Sequence, residues 1–333
     1  MTDSETAITN ADQPRRVRAT EFLPVTEQAA IASARWLGRG DNDAADQAAV
    51  DAMRIALNKL SISGTVVIGE GQKDEAPELY VGEELGIGGM ECEIAVDPVE
   101  GTDLVARGDS EAISICAIGE PGGFLSAPDI YMQKIVVGAT AKGRIDINAP
   151  ITENLEMVAR CYGRKVSELT VIVLDRPRHQ DLIREIRAAG ARIRLIPDGD
   201  ITASLSVAVR GTGDHLYVGM GGSTEGVITA AALECLGGEI QAKMWVRNED
   251  DQRLMEQFGM DRPDRVYRTR DLAPGPRYVV ATGITDGNLL KGVRYFADGA
   301  RTHSMVMDLV TNVVRFIDTV HLLSPTLIRE IRL

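Results

Sequence analysis

The six residues Asp97-Pro98-Val99-Glu100-Gly101-Thr102 bring two carboxylates, a turn-forming proline and a hydroxyl into one short stretch. They follow the β-branched run at 93–96, so the carboxylates fall at the C-terminal end of an expected strand, where α/β folds put ligands. Pro98 forces a turn, which lets Asp97 and Glu100 converge while the Val99 carbonyl points at the same spot. Two carboxylates and a carbonyl are hard oxygen donors suited to Mg²⁺ or Mn²⁺. Thr102 adds a hydroxyl within reach. The same residues also make an ordinary acidic surface turn.

Other acidic residues extend this reading. Glu70 sits between Gly69 and Gly71, directly after an expected strand at 65–68. A carboxylate there has little side-chain cover and a permissive backbone. Asp46 lies in the first turn of a helix that Asp43 can cap, a place where the helix dipole favours an acid whatever its function. The stretch 219–226, Gly-Met-Gly-Gly-Ser-Thr-Glu-Gly, lies between a strand and a helix. Thr224 stands where a dinucleotide loop needs its third glycine, and Glu225 would face the pyrophosphate. Glu225 makes better sense as a metal ligand beside a phosphate held by backbone N–H groups.

Basic and polar residues supply the complement. Arg176-Pro177-Arg178-His179 follows a strand, and two guanidiniums there can clamp a phosphate; they are equally surface loop residues. Asp198-Gly199-Asp200 also follows a strand and can accept hydrogen bonds from sugar hydroxyls or serve as a plain turn. Tyr131 has the same ambiguity between packing and ligand contact. The histidines at 179, 215, 303 and 321 lack zinc spacing, and no G-x-S-x-G elbow occurs. The chemistry therefore rests on carboxylates and metal.

These residues need elements to position them. Residues 25–37 and a stretch from 43 to about 60 read as helices, and 65–68, 93–96 and 112–115 as strands. A second set alternates: strands at 170–174, 192–196 and 216–218, helices at 179–189, 201–210 and 225–236. This β-α-β-α order implies a layered α/β fold. Surface helices and loops are expected over 247–276, and strands return from 278, ending in an alternating run at 313–322.

The chain has 333 residues, enough for two domains or one large α/β unit. With 5 Phe, 2 Trp and 7 Tyr, the core must be built mostly from Val, Ile, Leu and Ala. Lys plus Arg total 36 against 49 Asp plus Glu, a net charge of −13. That balance opposes nucleic acid and anionic membranes as partners, though not a small anion held through metal ions. No apolar run reaches the ~18 residues of a membrane span, and residues 1–22 read as a mobile tail, not a signal peptide. Cys92, Cys116, Cys161 and Cys235 show no paired spacing and read as reduced thiols of a cytoplasmic protein.

The segments WLGRGDNDAAD, GTVVIGEGQKDEAPELYVGEE, IAVDPVEGTDLVA, FLSAPDIYMQK, DRPRH, RIRLIPDGD and GMGGSTEGV together resemble the class II fructose-1,6-bisphosphatases of the lithium-sensitive, metal-dependent phosphatase superfamily. Within that class the chain is most similar to the bifunctional fructose-1,6-/sedoheptulose-1,7-bisphosphatases of cyanobacterial type. The resemblance spans about residues 25–322. It implies an α-β-α-β-α sandwich, hydrolysis of the 1-phosphate of a sugar bisphosphate in carbohydrate metabolism, a Mg²⁺ or Mn²⁺ cofactor, and a homodimer or homotetramer.

It implies Asp46, Glu70, Asp97, Glu100 and Glu225 as metal ligands, and Thr102, Asp46 and Asp74 as the catalytic set. Glu100, Gly101 and Thr102 would line the leaving-phosphate site. Tyr131, Arg176, Pro177, Arg178, Asp198, Gly199, Asp200 and Gly222 would hold the sugar and its distal phosphate. It divides the chain into a catalytic domain over 23–164, rejoined by 278–333, and a sugar-phosphate-binding domain over 165–277. Asn42, Gln72 and Ser223-Thr224 stand where the family has Lys, Glu and Ala-Pro. A different phosphatase of the superfamily, acting on inositol phosphates or nucleotide bisphosphates, is the alternative; so is a catalytically weak sugar-phosphate sensor.

Overall fold

Period-two burial of β-branched residues builds two mixed sheets, and helices fill the spaces around and between them. The computed structural model describes residues 17–69 and 79–322. In chain order these contain α1 (Leu23–Ala34), α2 (Asn42–Leu57), β1 (Ile62–Ile68), β2 (Glu84–Leu85), β3 (Met90–Glu100), α3 (Thr102–Arg107), β4 (Ile113–Gly119) and β5 (Tyr131–Val137). There follow α4 (Ile151–Tyr162), β6 (Thr170–Leu174), α5 (Gln180–Ala188), β7 (Arg192–Ile196), α6 (Asp200–Ala208), β8 (Leu216–Gly222), α7 (Ser223–Leu236) and β9 (Glu239–Trp245). Then come α8 (Glu249–Gln257), β10 (Tyr267–Arg268), α9 (Thr269–Leu272), β11 (Pro276–Gly283), β12 (Arg294–Phe296), β13 (Gly299–Asp308) and β14 (Val313–Leu322).

The first sheet runs β12-β13-β11-β4-β3-β1-β2, with β14 on the other side of β13; the second runs β10-β9-β5-β8-β6-β7. Alternate residues of each strand enter different cores, as a pleated strand requires. On β11, Tyr278 and Val280 face α1 and α2, while Val279 and Ala281 face the space between the sheets. On β6, Val171 and Val173 face α4 and α5, and Ile172 and Leu174 face the same central space. That space holds α6 and α7, whose Ile201, Leu205, Val227 and Leu233 are buried. The layers are therefore α1/α2, sheet, α6/α7, sheet, α4/α5: the α/β sandwich expected.

Several sequence-based expectations are corrected. Residues 17–22, expected to belong to a mobile tail, pack on the first sheet, and residues 1–16 of that expectation lie outside the described residues. Val17 and Phe22 are buried, the Phe22 and Tyr278 rings lie 5.8 Å apart, and the Tyr278 hydroxyl donates to the Val17 carbonyl at 2.9 Å. Apolar residues at 17, 19 and 22 dock the segment on the first sheet. Asp41, not Asp43, caps α2: it has extended backbone (φ −122°, ψ 92°) and accepts from the Ala44 N–H at 3.0 Å. Asp46 therefore sits in the second turn of α2. β5 pairs with β8 and β9, so the chain passes to the second sheet before residue 131, ahead of the expected border at 165. The four cysteines are unbridged.

The Asp41 cap fixes where α2 begins, and the preceding turn is tied to α3 by Gly38 and Gly40 N–H bonds to the Val105 and Ala106 carbonyls, both 2.8 Å. Asp41→Ala leaves an orphan helix N–H, so it should lower stability by about 1 kcal/mol in urea unfolding. An unchanged midpoint would show that the cap carries no weight.

Candidate active site

The register of β3 decides where its acids point. Against β4, Asp97 pairs with Ile115 but Glu100 pairs with Ile113: three steps on one strand match two on the other. Pro98, which has no N–H for the ladder, lies within this bulge. Residues three apart on a regular strand face opposite sides; the extra residue turns both carboxylates to the side of Ile113 and Ile115, the central layer. Both are buried. Gly101 then takes φ 91°, a conformation that suits glycine, and α3 starts at Thr102. The Thr102 hydroxyl donates back to the Val99 carbonyl at 3.1 Å. Glu100 Oε1 accepts from the Ile201 N–H at 2.6 Å, so it caps the start of α6.

Two more acids enter from neighbouring elements. Asp200, the first residue of α6, is buried; its Oδ2 lies 2.6 Å from Lys134 Nζ and accepts from the Tyr217 hydroxyl at 3.3 Å. Its Oδ1 is buried with no hydrogen-bond partner. Lys134 also donates to the Gly222 carbonyl at 2.8 Å and is almost wholly buried. Glu225 projects from the first turn of α7 and accepts from the Thr224 hydroxyl at 2.9 Å. The glycines that end β8 leave room for these carboxylates. A Cβ on Gly221 would fall 1.8 Å from Asp200 Oδ2, and one on Gly222 would fall 1.8 Å from Glu225 Oε2.

Burial, and after it the crowding of like charges, raises the proton affinity of these acids. Burial, then the charges of Asp200 and Glu225, push Glu100 well above the usual carboxylate range, and a hydrogen bond with Asp97 partly offsets this. Burial and the charge of Asp200 push Glu225 up, with Lys134 opposing. Asp198 is also raised, mainly by burial, with Arg176 opposing from 3.6 Å.

Glu100, Asp200 and Glu225 line a cavity of about 400 Å³, whose wall also carries Arg176, Arg178 and Arg247. The Tyr131 ring is flanked by two guanidiniums, Arg178 at 4.9 Å and Arg247 at 4.6 Å from its centroid. Arg178 donates to the Met220 carbonyl at 2.8 Å. His179 anchors the same loop. The Met220 N–H donates to its Nε2, so Nδ1 carries the proton and donates to the Leu174 carbonyl, both at 2.8 Å. Burial lowers its pKa and keeps it neutral. One cavity thus carries an acidic side and a basic side.

A model of the family described as bacterial fructose-1,6-bisphosphatase, glpX-encoded, matches residues 16–321. This chain belongs to that family. It is 48% identical over 328 residues, 91% of its length, to the D-fructose 1,6-bisphosphatase class 2/sedoheptulose 1,7-bisphosphatase of Synechococcus sp. (strain JA-3-3Ab), covering 94% of that protein. It is 46% identical over 332 residues to the protein of the same name from Trichodesmium erythraeum (strain IMS101), covering 92% and 96% of the two chains.

The described residues among those expected at the site fall as follows. Glu100, Tyr131, Arg176, Arg178, Asp198, Asp200, Gly222 and Glu225 line the cavity. Asp97, Gly101 and Thr102 adjoin Glu100 on β3 and α3, Gly199 caps α6, and Pro177 opens the short turn before α5. Asp46 is half-buried on α2, whose first residue, Asn42, donates to Asp103 at 2.6 Å. Glu70 and Asp74 lie outside the described residues. Among the described residues no three His, Cys, Asp or Glu side chains close on one point as a finished metal cage. Sequence reasoning missed Lys134, Tyr217 and Arg247. Only Lys134 left a signal, a charge on the face of β5 shared with Met132 and Val136.

The raised acids have a measurable consequence. A carboxyl whose folded pKa exceeds its unfolded value costs no stability below the ordinary value of 4.5 and costs progressively more as pH rises through the folded value. Glu225→Gln keeps the acceptor for Thr224 and removes the charge. With chelator present, thermal unfolding should show this variant more stable than wild type near pH ~8, the difference vanishing toward pH ~4. A variant less stable than wild type at the higher pH would contradict the assignment.

Proposed function

We propose that this chain is a divalent-cation-dependent sugar bisphosphatase that removes the 1-phosphate of fructose 1,6-bisphosphate and of sedoheptulose 1,7-bisphosphate. The observation that carries the reading is the single cavity with crowded carboxylates on one side and guanidiniums around Tyr131 on the other. Such a cavity suits a molecule with a reacting phosphate and a second, distal one. The names of the relatives support the choice of sugars.

The residues present fit a divalent cation. Asp97, Glu100 and Glu225 offer hard oxygens, their crowding favours a positive partner, and Asp200 Oδ1 is an unpaired buried acceptor beside them. Asp46 and Glu70 would complete the ligand set. When bound, Mg²⁺ or Mn²⁺ supplies charge neutralisation at the phosphoryl oxygens and acidifies water.

The remaining work belongs to the protein's own groups. Phosphate monoesters hydrolyse very slowly unaided, so positioning and charge are what the chain must provide. The reacting phosphate sits against the Glu100-Gly101-Thr102 turn, within reach of its backbone N–H groups. The Thr102 hydroxyl donates to the Val99 carbonyl, which leaves its oxygen to accept from the attacking water, and Asp46 takes the proton. Asp198 and Asp200 accept from sugar hydroxyls, and Arg176 and Arg178 hold the distal phosphate. Lys134 keeps Asp200 and the Gly222 carbonyl in place.

No helix among the described residues is long and apolar enough to cross a membrane. A homodimer or homotetramer in the cytoplasm accompanies this reading, carried by the family resemblance.

The test is phosphate release from both bisphosphates with Mg²⁺, with Mn²⁺ and with chelator, using inositol 1-phosphate as the control. Cation-dependent release from either sugar, with the control intact, is expected. Asp97→Asn should lower kcat by about a hundredfold or more, the scale seen when one charge-stabilising group is lost. Full turnover in that variant, or in chelator, would overturn the reading; so would faster release from inositol phosphate.

A further inference from the structure

We infer that Arg247 binds the distal phosphate of the substrate as a partner to Arg178, with Asp251 and Tyr131 as its positioning residues. The inference rests on the proposed function and extends it to a residue outside the Arg176–Arg178 turn.

Arg247 follows the end of β9, one residue before the Asn248 cap of α8. Its Nε and Nη2 donate to the two oxygens of Asp251 at 2.8 and 3.0 Å, and its backbone N–H donates to Asp251 at 2.9 Å. Asp251 is buried in the first turn of α8. This fork fixes the plane of the guanidinium but consumes only one edge of it; a guanidinium has five N–H donors, and both on Nη1 remain. The group lies over the Tyr131 face and lines the cavity, with a side chain that is 39% exposed. A residue serving only to tie β9 to α8 has no need to reach that wall.

Tyr131 also has Arg178 at 4.9 Å. Two guanidiniums gathered on one ring repel each other, and Asp251 neutralises only one of them. Asp129 on the same wall also acts on Arg247, and a dianionic phosphate beside the two guanidiniums adds negative charge that N–H donors of both can meet. The ring itself is held by Trp245, whose ring packs edge-on at 6.1 Å. Sequence places Arg178 and Arg247 far apart; β5, carrying Tyr131, brings them together by pairing with both β8 and β9.

The experiment compares wild type, Arg247→Gln and Arg247→Lys on fructose 1,6-bisphosphate, with inhibition by fructose 6-phosphate measured in parallel. Removing a charge-assisted pair of hydrogen bonds should raise KM about 10- to 100-fold in Arg247→Gln while kcat stays within about threefold. The fructose 6-phosphate inhibition constant should rise in proportion, because that product keeps the distal phosphate. Arg247→Lys should recover part of both losses, since it restores the charge without the fork. A purely structural tie would instead lower the melting temperature and leave KM and the inhibition constant within about twofold of wild type, and that result overturns the inference. A fall in kcat alone overturns it too. Wild-type protein that releases no phosphate would overturn the proposed function instead, so the two failures are distinguishable.

Discussion

Carboxylates forced together in a half-closed cavity repel one another, and much of this molecule is arranged to hold them there. The slip between β3 and β4 turns Asp97 and Glu100 to one face. The start of α6 brings Asp200, the start of α7 brings Glu225, and each helix N-terminus favours the negative charge set upon it. Lys134 crosses from β5 to meet Asp200. Burial raises the proton affinities of Glu100 and Glu225, and the neighbouring acid charges that one buried lysine cannot neutralise raise them further. A cation placed among these acids would relieve that repulsion, which is the basis of the proposed metal site.

The sandwich makes this convergence possible. Helices α6 and α7 lie between the sheets and begin beside the bulge of β3, so one layer supplies two acids to a third element. Gly221 and Gly222 give the carboxylates room, and a Cβ at either position would push the neighbouring carboxylate from its place. On the basic side, His179 fastens the Arg176–Arg178 turn to β8 through its two ring nitrogens. The result is a cavity with carboxylates on one side and guanidiniums on the other, the arrangement on which the proposed cation and two-phosphate reading rests.

Much of this was legible in the order of residues because it is local. The Asp97–Thr102 stretch ends a strand, as its β-branched approach and Pro98 imply, and β6 and β7 coincide with the runs at 170–174 and 192–196. What escaped was non-local. Tyr131–Val137 belongs to the second sheet because it pairs with β8 and β9, whose residues lie far along the chain, as Val137 with Leu216 and Tyr131 with Trp245, and no short pattern encodes that choice. Lys134 and Arg247 acquire meaning only once those pairings exist. Asp41 and Asp43 are both good caps by composition; the extended backbone after Gly40 selects the first. Glu70 and Asp74 fall outside the described residues, so their roles rest on the resemblance alone.

On the proposed reading, buried and crowded acids would recruit the cation without a finished cage. Calorimetric titration of chelator-stripped protein with Mn²⁺ or Mg²⁺, in buffers of different ionisation enthalpy, measures this. Metal ligands must be deprotonated, and Glu100 and Glu225 hold their protons more tightly than ordinary carboxyls. Binding should be accompanied by proton release, seen as heat that changes with the buffer, with the release diminished in Glu225→Gln. Binding with no proton release, or no binding of either cation, would contradict it.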